Sequence, residues 1–258
     1  MTFLEDIIAK KKIEIEDTKK RISFAQMKLA AENSARTRDF RQAIHQNQIT
    51  CIAEIKRASP SRGVLTEDFI PKTIAQEYSA GGASAVSVLT EREYFRGYPE
   101  AIREVKETCG LPVLRKDFII DEYQIDESRV LGADAILLIV NILDAASIVR
   151  FLHRAHTLGM DCLVECHSED EVVKAVDAGA EIIGINNRDL HTFDVSLETS
   201  FKLRKQIPKG RVCVSESGIR THDHIKELSQ AGFHAVLVGE QLITAADRTG
   251  ALRSLLRG

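Results

Sequence analysis

In the run Cys51-Ile52-Ala53-Glu54-Ile55-Lys56-Arg57-Ala58-Ser59-Pro60-Ser61-Arg62-Gly63, an apolar strand-like stretch carries a carboxylate and an ammonium two residues apart and then breaks into a polar turn. Side chains two apart on a strand point the same way, so Glu54 and Lys56 share a face, with Ser59-Pro60-Ser61 as the loop beyond them. Four later segments end in the same manner. Lys116 closes Pro112–Lys116 in register with Leu114 and Phe118, Glu165 closes Cys162–Glu165, Asn186 and Arg188 follow Ile183-Gly184-Ile185, and Glu216 lies in Val212–Gly218. Such groups can hold an anion and move protons. Buried unpaired charge is costly, so three carboxylates and two lysines converging in one apolar cup point to catalysis rather than architecture.

A convergence of that kind needs a scaffold that delivers several strand ends to one place. From residue 51 onward, short apolar runs begin at Cys51, Ser84, Pro112, Ala135, Cys162, Ile182, Val212 and Ala235, each followed by an amphipathic segment of helical period. Gly82, Gly132, Gly179 and Gly232 precede alternate strands about fifty residues apart, and the intervening helices end at Gly110, Gly159 and Gly210. Glycine just past a helix turns the chain back into a strand, and a two-unit period suits a barrel layered by alternate strands. A doubly wound sheet would want a glycine-rich phosphate turn after its first strand, whereas the first turn here is Ala58-Ser59-Pro60-Ser61. The sequence therefore predicts a single α/β domain over residues 1–258, a (β/α)8 TIM barrel whose chemistry sits at the C-terminal strand ends. Residues 1–45 carry Phe3, Leu4, Ile7, Ile8, Ile15 and Ile22 near helical spacing, then a polar segment ending at Phe40–Ile44. They read as a helical N-terminal extension packed on the barrel, either without chemical role or as a cap on the site.

Ser217-Gly218-Ile219 and Val238-Gly239-Glu240-Gln241 form the next signal, because backbone N–H groups of glycine turns and a helix start can bind phosphate between the last two loops of a barrel. Glu240 is no phosphate ligand by charge, so Lys56 or another cation would supply the countercharge. Of the histidines only His167 falls near a strand end. His153 with His156, or His222 with His224, imitate metal pairs but lack a third inward ligand, so no metal is expected. Acid and base work then falls to lysine and glutamate, and lysine suits the acid role where desolvation or a second cation lowers its pKa towards neutrality. The net charge of -3 and pI of about 6.3 provide no basic field for nucleic acid. The first 30 residues are too charged for a secretory signal, and no later run is long enough to cross a bilayer. A cytoplasmic monomer with a small-molecule substrate is expected, and the five cysteines (51, 109, 162, 166 and 213) are read as reduced core residues.

Taken together, Glu54-Ile55-Lys56-Arg57-Ala58-Ser59-Pro60-Ser61, Ser87-Val88-Leu89-Thr90 with Phe95 and Gly97, Leu114-Arg115-Lys116-Asp117-Phe118-Ile119, Gly184-Ile185-Asn186-Asn187-Arg188-Asp189-Leu190, Ser215-Glu216-Ser217-Gly218-Ile219 and Val238-Gly239-Glu240 closely resemble the indole-3-glycerol phosphate synthase family. The resemblance runs in order over about residues 51–243, and the N-terminal extension is also similar. It implies ring closure of 1-(2-carboxyphenylamino)-1-deoxy-D-ribulose 5-phosphate to indole-3-glycerol phosphate, with loss of carbon dioxide and water and with no cofactor or metal, in tryptophan biosynthesis. By the same resemblance Lys116 is the general acid, Glu165 the acid/base carboxylate, and Glu54 and Asn186 hold hydroxyls and orient the lysines. Lys56 with Ser59 and Ser61 holds carboxylate and phosphate, Gly218, Gly239 and Glu240 frame the phosphate, and Arg188, Glu216 and Ser217 match family substrate positions. Phe95, Phe118 and Leu190 supply an apolar wall for the aromatic ring.

The sequence departs from the family pattern at Tyr98-Pro99-Glu100, at Asp121-Glu122-Tyr123-Gln124-Ile125-Asp126 and at Gln241, which touches loop detail and leaves every proposed catalytic group in place. The chain ends at Gly258 and is read as monofunctional. Competing readings are another phosphate-binding barrel, such as phosphoribosylanthranilate isomerase or a tryptophan synthase α-like lyase, and a catalytically silent scaffold barrel. The first does not need this Glu-x-Lys pair with a distant Lys and Glu; the second predicts loss of Lys116, Glu165 or Glu54.

Overall fold

A computed structural model describes residues 3–189 and 192–258. The chain opens with three helices, α1 (Phe3–Arg21), α2 (Phe24–Glu32) and α3 (Phe40–Ile44), and then enters a closed barrel. Its parallel strands are β1 (Thr50–Ile55), β2 (Ala85–Leu89), β3 (Val113–Lys116), β4 (Ala135–Ile139), β5 (Asp161–Cys166), β6 (Ile182–Asn186), β7 (Val212–Glu216) and β8 (Ala235–Val238). Each strand pairs with the next, and β8 returns to β1 with Thr50 opposite Ala235. The helices that return the chain are α4 (Pro71–Gly81), α5 (Ala101–Thr108), α6 (Glu122–Leu131), α7 (Ala145–Thr157), α8 (Glu169–Asp177), α9 (Glu198–Arg204), α10 (His222–Gln230), the short α11 (Glu240–Ile243) and α12 (Arg248–Arg257).

Both faces of a parallel sheet are covered, which is why these strands read as unbroken apolar runs. All of β1, β2, β4, β6, β7 and β8 is buried. Helix starts are set locally: the side chains of Asp144, Ser168 and Thr221 accept N–H bonds at the N-termini of α7, α8 and α10. Gly82 and Gly132 take φ of 99° and 98° at the ends of α4 and α6, a conformation that favours glycine. Gly110 differs from the expectation, since α5 ends through Cys109 in extended conformation and Gly110 has no positive φ. All five cysteines are buried and free.

The barrel interior changes character along its axis. Near the N-terminal strand ends it holds Ile52, Ala85, Leu114, Ala135, Leu163, Ile182 and Val212, all buried. Phe40 and Ile44 of α3 join this cluster and are fully buried, while the Thr50 hydroxyl donates to Ile44 O, so the extension stoppers that end. Leu4 and Ile7 of α1 belong to the same cluster, with Tyr94 and Phe95 packed against it. The helical extension is present as expected, but its buried face includes a charge: Lys11 is only 3% exposed. Ile22, past the end of α1, is 43% exposed and is not part of the packed face.

Candidate active site

Nearer the C-terminal strand ends the four odd-numbered strands turn charged. Glu54 of β1, Lys116 of β3, Glu165 of β5 and Glu216 of β7 face one another. Lys116 Nζ lies 2.7 Å from Glu216 Oε2 and 3.1 Å from Glu165 Oε2, and Lys56 Nζ lies 2.7 Å from Glu54 Oε1. The even-numbered strands make room. A Cβ on Gly184 would lie 2.2 Å from Glu216 Oε1, and one on Gly239 would lie 2.2 Å from Glu54 Oε1. Glycine inside a strand marks such a close approach, and Gly184 in the apolar run of β6 is the sign of it that the sequence carries.

Asn186 adds an amide to the floor: its Oδ1 accepts from Ser217 Oγ at 2.9 Å and from the Arg188 N–H at 3.0 Å. Ser217 has a φ of 67°, a left-handed conformation uncommon outside glycine, which brings its hydroxyl back to Asn186. The adjacent Asn187 is buried and structural, donating to Ser215 Oγ and to the carbonyls of Glu216 and Ser217. His167, two residues beyond Glu165, places Nε2 3.5 Å from Glu165 Oε1 and Nδ1 3.3 Å from Glu171 Oε2. The two-residue spacing in sequence was the available sign that it stands behind Glu165.

Burial alone would drive the Lys116 pKa down, but Glu216, Glu165 and Glu54 outweigh it and the net direction is up. This corrects the expectation of a lysine lowered towards neutrality: three carboxylates hold the ammonium. The converse appears in the carboxylates. Burial and the charge of Glu165 raise Glu216, despite Lys116, to about 7, whereas Lys116 and His167 overcome burial and hold Glu165 low. Glu54 is lowered too, because Lys56 and Lys116 outweigh burial. A glutamate, Glu216, is thus placed to titrate near neutral pH, in the same cluster as His167, whose pKa burial would lower but Glu171 and Glu165 raise.

Above this floor opens a cavity of about 380 Å³. Phe95 and Phe118 line it, their ring centroids 6.4 Å apart and inclined at 40°, with Leu89, Leu137 and Ile139. At the opposite rim Gly218, Gly239 and Glu240 meet Arg188 and Arg62. Glu240 lies 3.0 Å from Arg62 Nε and 3.8 Å from Arg188 NH2. Ser59 is buried and Ser61 exposed, and neither is among the lining residues; Arg62 lines the cavity from their loop. Leu190 lies outside the described residues. Of the departures, Gln241 lines the rim, Tyr98 hydrogen-bonds Glu104, and Asp121 caps α6 in a box with Gln124.

Comparison with known proteins is decisive at this point. The profile of the family described as indole-3-glycerol phosphate synthase matches residues 4–255. The chain belongs to that family. It is 49% identical over 249 residues to the indole-3-glycerol phosphate synthase of Chloroherpeton thalassium, covering 95% of this chain and 96% of that one. With the enzyme of the same name from Paracidovorax citrulli it shares 47% identity over 98% of both chains. Among solved structures, 3-hexulose-6-phosphate synthase from Salmonella typhimurium superposes with a TM-score of 0.65 at 15% identity, covering 80% of this chain and 96% of that one. KGPDC from Streptococcus mutans gives 0.61 at 13%, covering 81% and 96%. These two share the barrel fold alone. Family membership makes the chain a carboxy-lyase of tryptophan biosynthesis that takes a phosphorylated aromatic substrate. No helix among the described residues is long and apolar enough to cross a membrane.

Proposed function

We propose that this cavity closes the indole ring of 1-(2-carboxyphenylamino)-1-deoxy-D-ribulose 5-phosphate, with Lys116 as the acid. The observation that carries this assignment is the Lys116 ammonium held between Glu165 and Glu216 beneath an aromatic-walled cavity. The aryl carbon bearing the carboxylate attacks the ketone carbon, and the new alkoxide takes a proton from Lys116. Loss of carbon dioxide returns the bonding electrons to the ring and restores aromaticity. The new hydroxyl then takes a further proton from the Lys116–Glu216 pair and leaves as water while the methylene carbon beside the ring nitrogen gives up a proton, so that the product keeps its N–H; Glu165, in contact with Lys116 and supported by Asn186 and His167, is placed for that transfer. Glu216 serves as the second partner of Lys116 and, titrating near neutral pH, can accept the charge change that accompanies each proton transfer.

Phe95 and Phe118 hold the aromatic ring out of water, which favours decarboxylation. Lys56 and Arg188 offer cations to the carboxylate and phosphate, with Gly218 and Gly239 giving backbone close approach to the latter. Arg62 joins them, because its guanidinium lies at an exposed rim 3.0 Å from Glu240, a carboxylate that an incoming anion can displace.

The experiment is a fluorescence assay for indole formation from the purified substrate, with chelator present and no added cofactor. Turnover supports the reading. Lys116→Met and Glu165→Gln should each lower kcat by about 10²–10⁴-fold, the usual contribution of a positioned acid or base; near-normal turnover in either variant overturns the role given to it.

A further inference from the structure

Lys11 lies on α1, outside the cavity lining, yet its ammonium is buried against the strand that carries the proposed acid. Lys11 Nζ is 3.0 Å from Asp117 Oδ1, with the two side chains 3% and 0% exposed, and 2.8 Å from Glu14. Asp117 stands between Lys116 and Phe118 in sequence and is tied to both, to Phe118 directly and to Lys116 through Thr90. Its Oδ1 accepts the Phe118 N–H at 2.8 Å and its Oδ2 accepts the Thr90 hydroxyl at 2.6 Å, while the Thr90 N–H donates to the Lys116 carbonyl at 3.1 Å. The end of β3, the end of β2 and the aromatic wall therefore meet at one carboxylate, and α1 supplies a cation to it.

We propose that Lys11 is a positioning residue for turnover: through Asp117 it fixes the backbone that follows Lys116, at the Phe118 N–H and, by way of Thr90, at the Lys116 carbonyl, and so the direction in which that ammonium meets the substrate. The inference rests on the reading of Lys116 as the acid. A helix can dock through apolar side chains such as Leu4 and Ile7, whereas burying a lysine costs several kcal/mol unless well paired. Docking alone is thus a poor reason for the charge. Other ties bring α1 to the same two loops, Arg92 to Glu14 at 3.3 Å and Lys19 to Asp121 at 2.8 Å, but both are more exposed and neither touches a neighbour of Lys116.

Steady-state kinetics of Lys11→Met and Lys11→Arg provide the test, with wild type as reference and Lys20→Met as the control for loss of an exposed ammonium from the same helix. In Lys11→Met, kcat should fall about 10- to 100-fold with KM within about threefold, since a small misplacement of a reacting group costs up to about 10²-fold. Lys11→Arg should recover most of the loss and Lys20→Met should show none. On an Asp117→Asn background, Lys11→Met should add less than about threefold if the two act as one pair; because Asp117 is wholly buried, the comparison of Met with Arg at position 11 stands without that arm. A kcat in Lys11→Met within about twofold of wild type, or an equal loss in Lys11→Arg, overturns the proposal. Absence of turnover in the wild type overturns the reading of the site itself and this inference with it.

Discussion

Arg115 and Lys116 are neighbours on β3, one buried and one half-buried and both bonded to carboxylates, yet they belong to different kinds of structure. Arg115 points into the layer between barrel and helices. There it bonds Asp117 at 3.2 Å, Glu127 at 2.7 Å, Thr90 Oγ1 at 3.2 Å and Ser128 Oγ at 3.1 Å, and also reaches the Gln124 carbonyl. Lys116 points into the barrel, where its two partners sit below an open cavity and Glu216 Oε1 is buried without a hydrogen-bond partner. One cluster is closed and satisfied, and the other is left incomplete beside a space of substrate size. Alternation along a single strand is enough to separate architecture from chemistry, and unmet bonding capacity identifies which is which.

The sharpest way to break that contrast is to remove each cation in turn. Lys116→Met should abolish turnover by about 10³-fold, as already argued from its role. At pH 6 it should cost less Tm than Arg115→Met does, because Glu216 takes up a proton readily. Arg115→Met takes one of the two cations from Asp117 and the guanidinium partner from Glu127 in a closed layer, and breaking a buried pair costs about 3–5 kcal/mol, on the order of 10 °C in Tm for a chain of this size. Asp117 keeps Lys11 and Thr90, so turnover of the folded fraction should stay within about tenfold. Thermal melts and kinetics on both variants decide it: an equal Tm loss, or a dead Arg115→Met enzyme that is still folded, removes the distinction.

How much of this could be read from the sequence follows the same division. Eight apolar runs and their spacing were enough for the barrel, because parallel strands buried on both faces leave a one-dimensional trace. Glu54, Lys56, Lys116, Glu165 and Glu216 were legible for a similar reason, being charges at the ends of apolar strands. The outer cluster was not legible, since Arg115, Glu127 and Lys11 look like ordinary charges on a strand and on helices until packing brings them together. The direction of the Lys116 pKa differs because the convergence of three carboxylates is legible in sequence but not their distances, and two of them lie within 3.1 Å of the ammonium and outweigh burial. Gly110 failed as a helix cap because Cys109 had already left the helix in extended conformation. Ser59 and Ser61, read as reaching the substrate, lie off the cavity lining while Arg62 lines it.

Gly184 tests whether the incomplete cluster depends on space as well as charge. Its missing side chain is what allows Glu216 to reach Lys116, since a Cβ there would lie 2.2 Å from Glu216 Oε1 and 3.1 Å from Leu163 Cδ1. Gly184→Ala must push the carboxylate aside, and kcat should fall about 10- to 100-fold with a smaller change in Tm than Arg115→Met produces. Addition of the same methyl in the Glu216→Gln background should cost less, because the ion pair it disturbs is already absent. If the two changes simply multiply, the glycine acts on something other than that carboxylate.

The smallest expected difference is in pH dependence, and the two clusters should have opposite signs. In the outer one, burial opposes ionisation of Asp117 but Lys11 and Arg115 overcome it and hold its pKa at about 2. A lowered carboxyl contributes stability that is complete above its ordinary value near 3.8 and is lost as pH falls through about 2. Glu216 is raised instead, to about 7. Its contribution is complete below its ordinary value near 4.5 and is lost as pH rises through about 7. Wild type should therefore lose on the order of 1 kcal/mol relative to Glu216→Gln between pH 5 and 8, a window in which Asp117 stays ionised and contributes no slope. Urea midpoints at closely spaced pH values measure it. A wild type that runs parallel to Glu216→Gln across that window would place the raised carboxyl elsewhere, and Glu216 would then join Glu165 as a permanently ionised partner of Lys116.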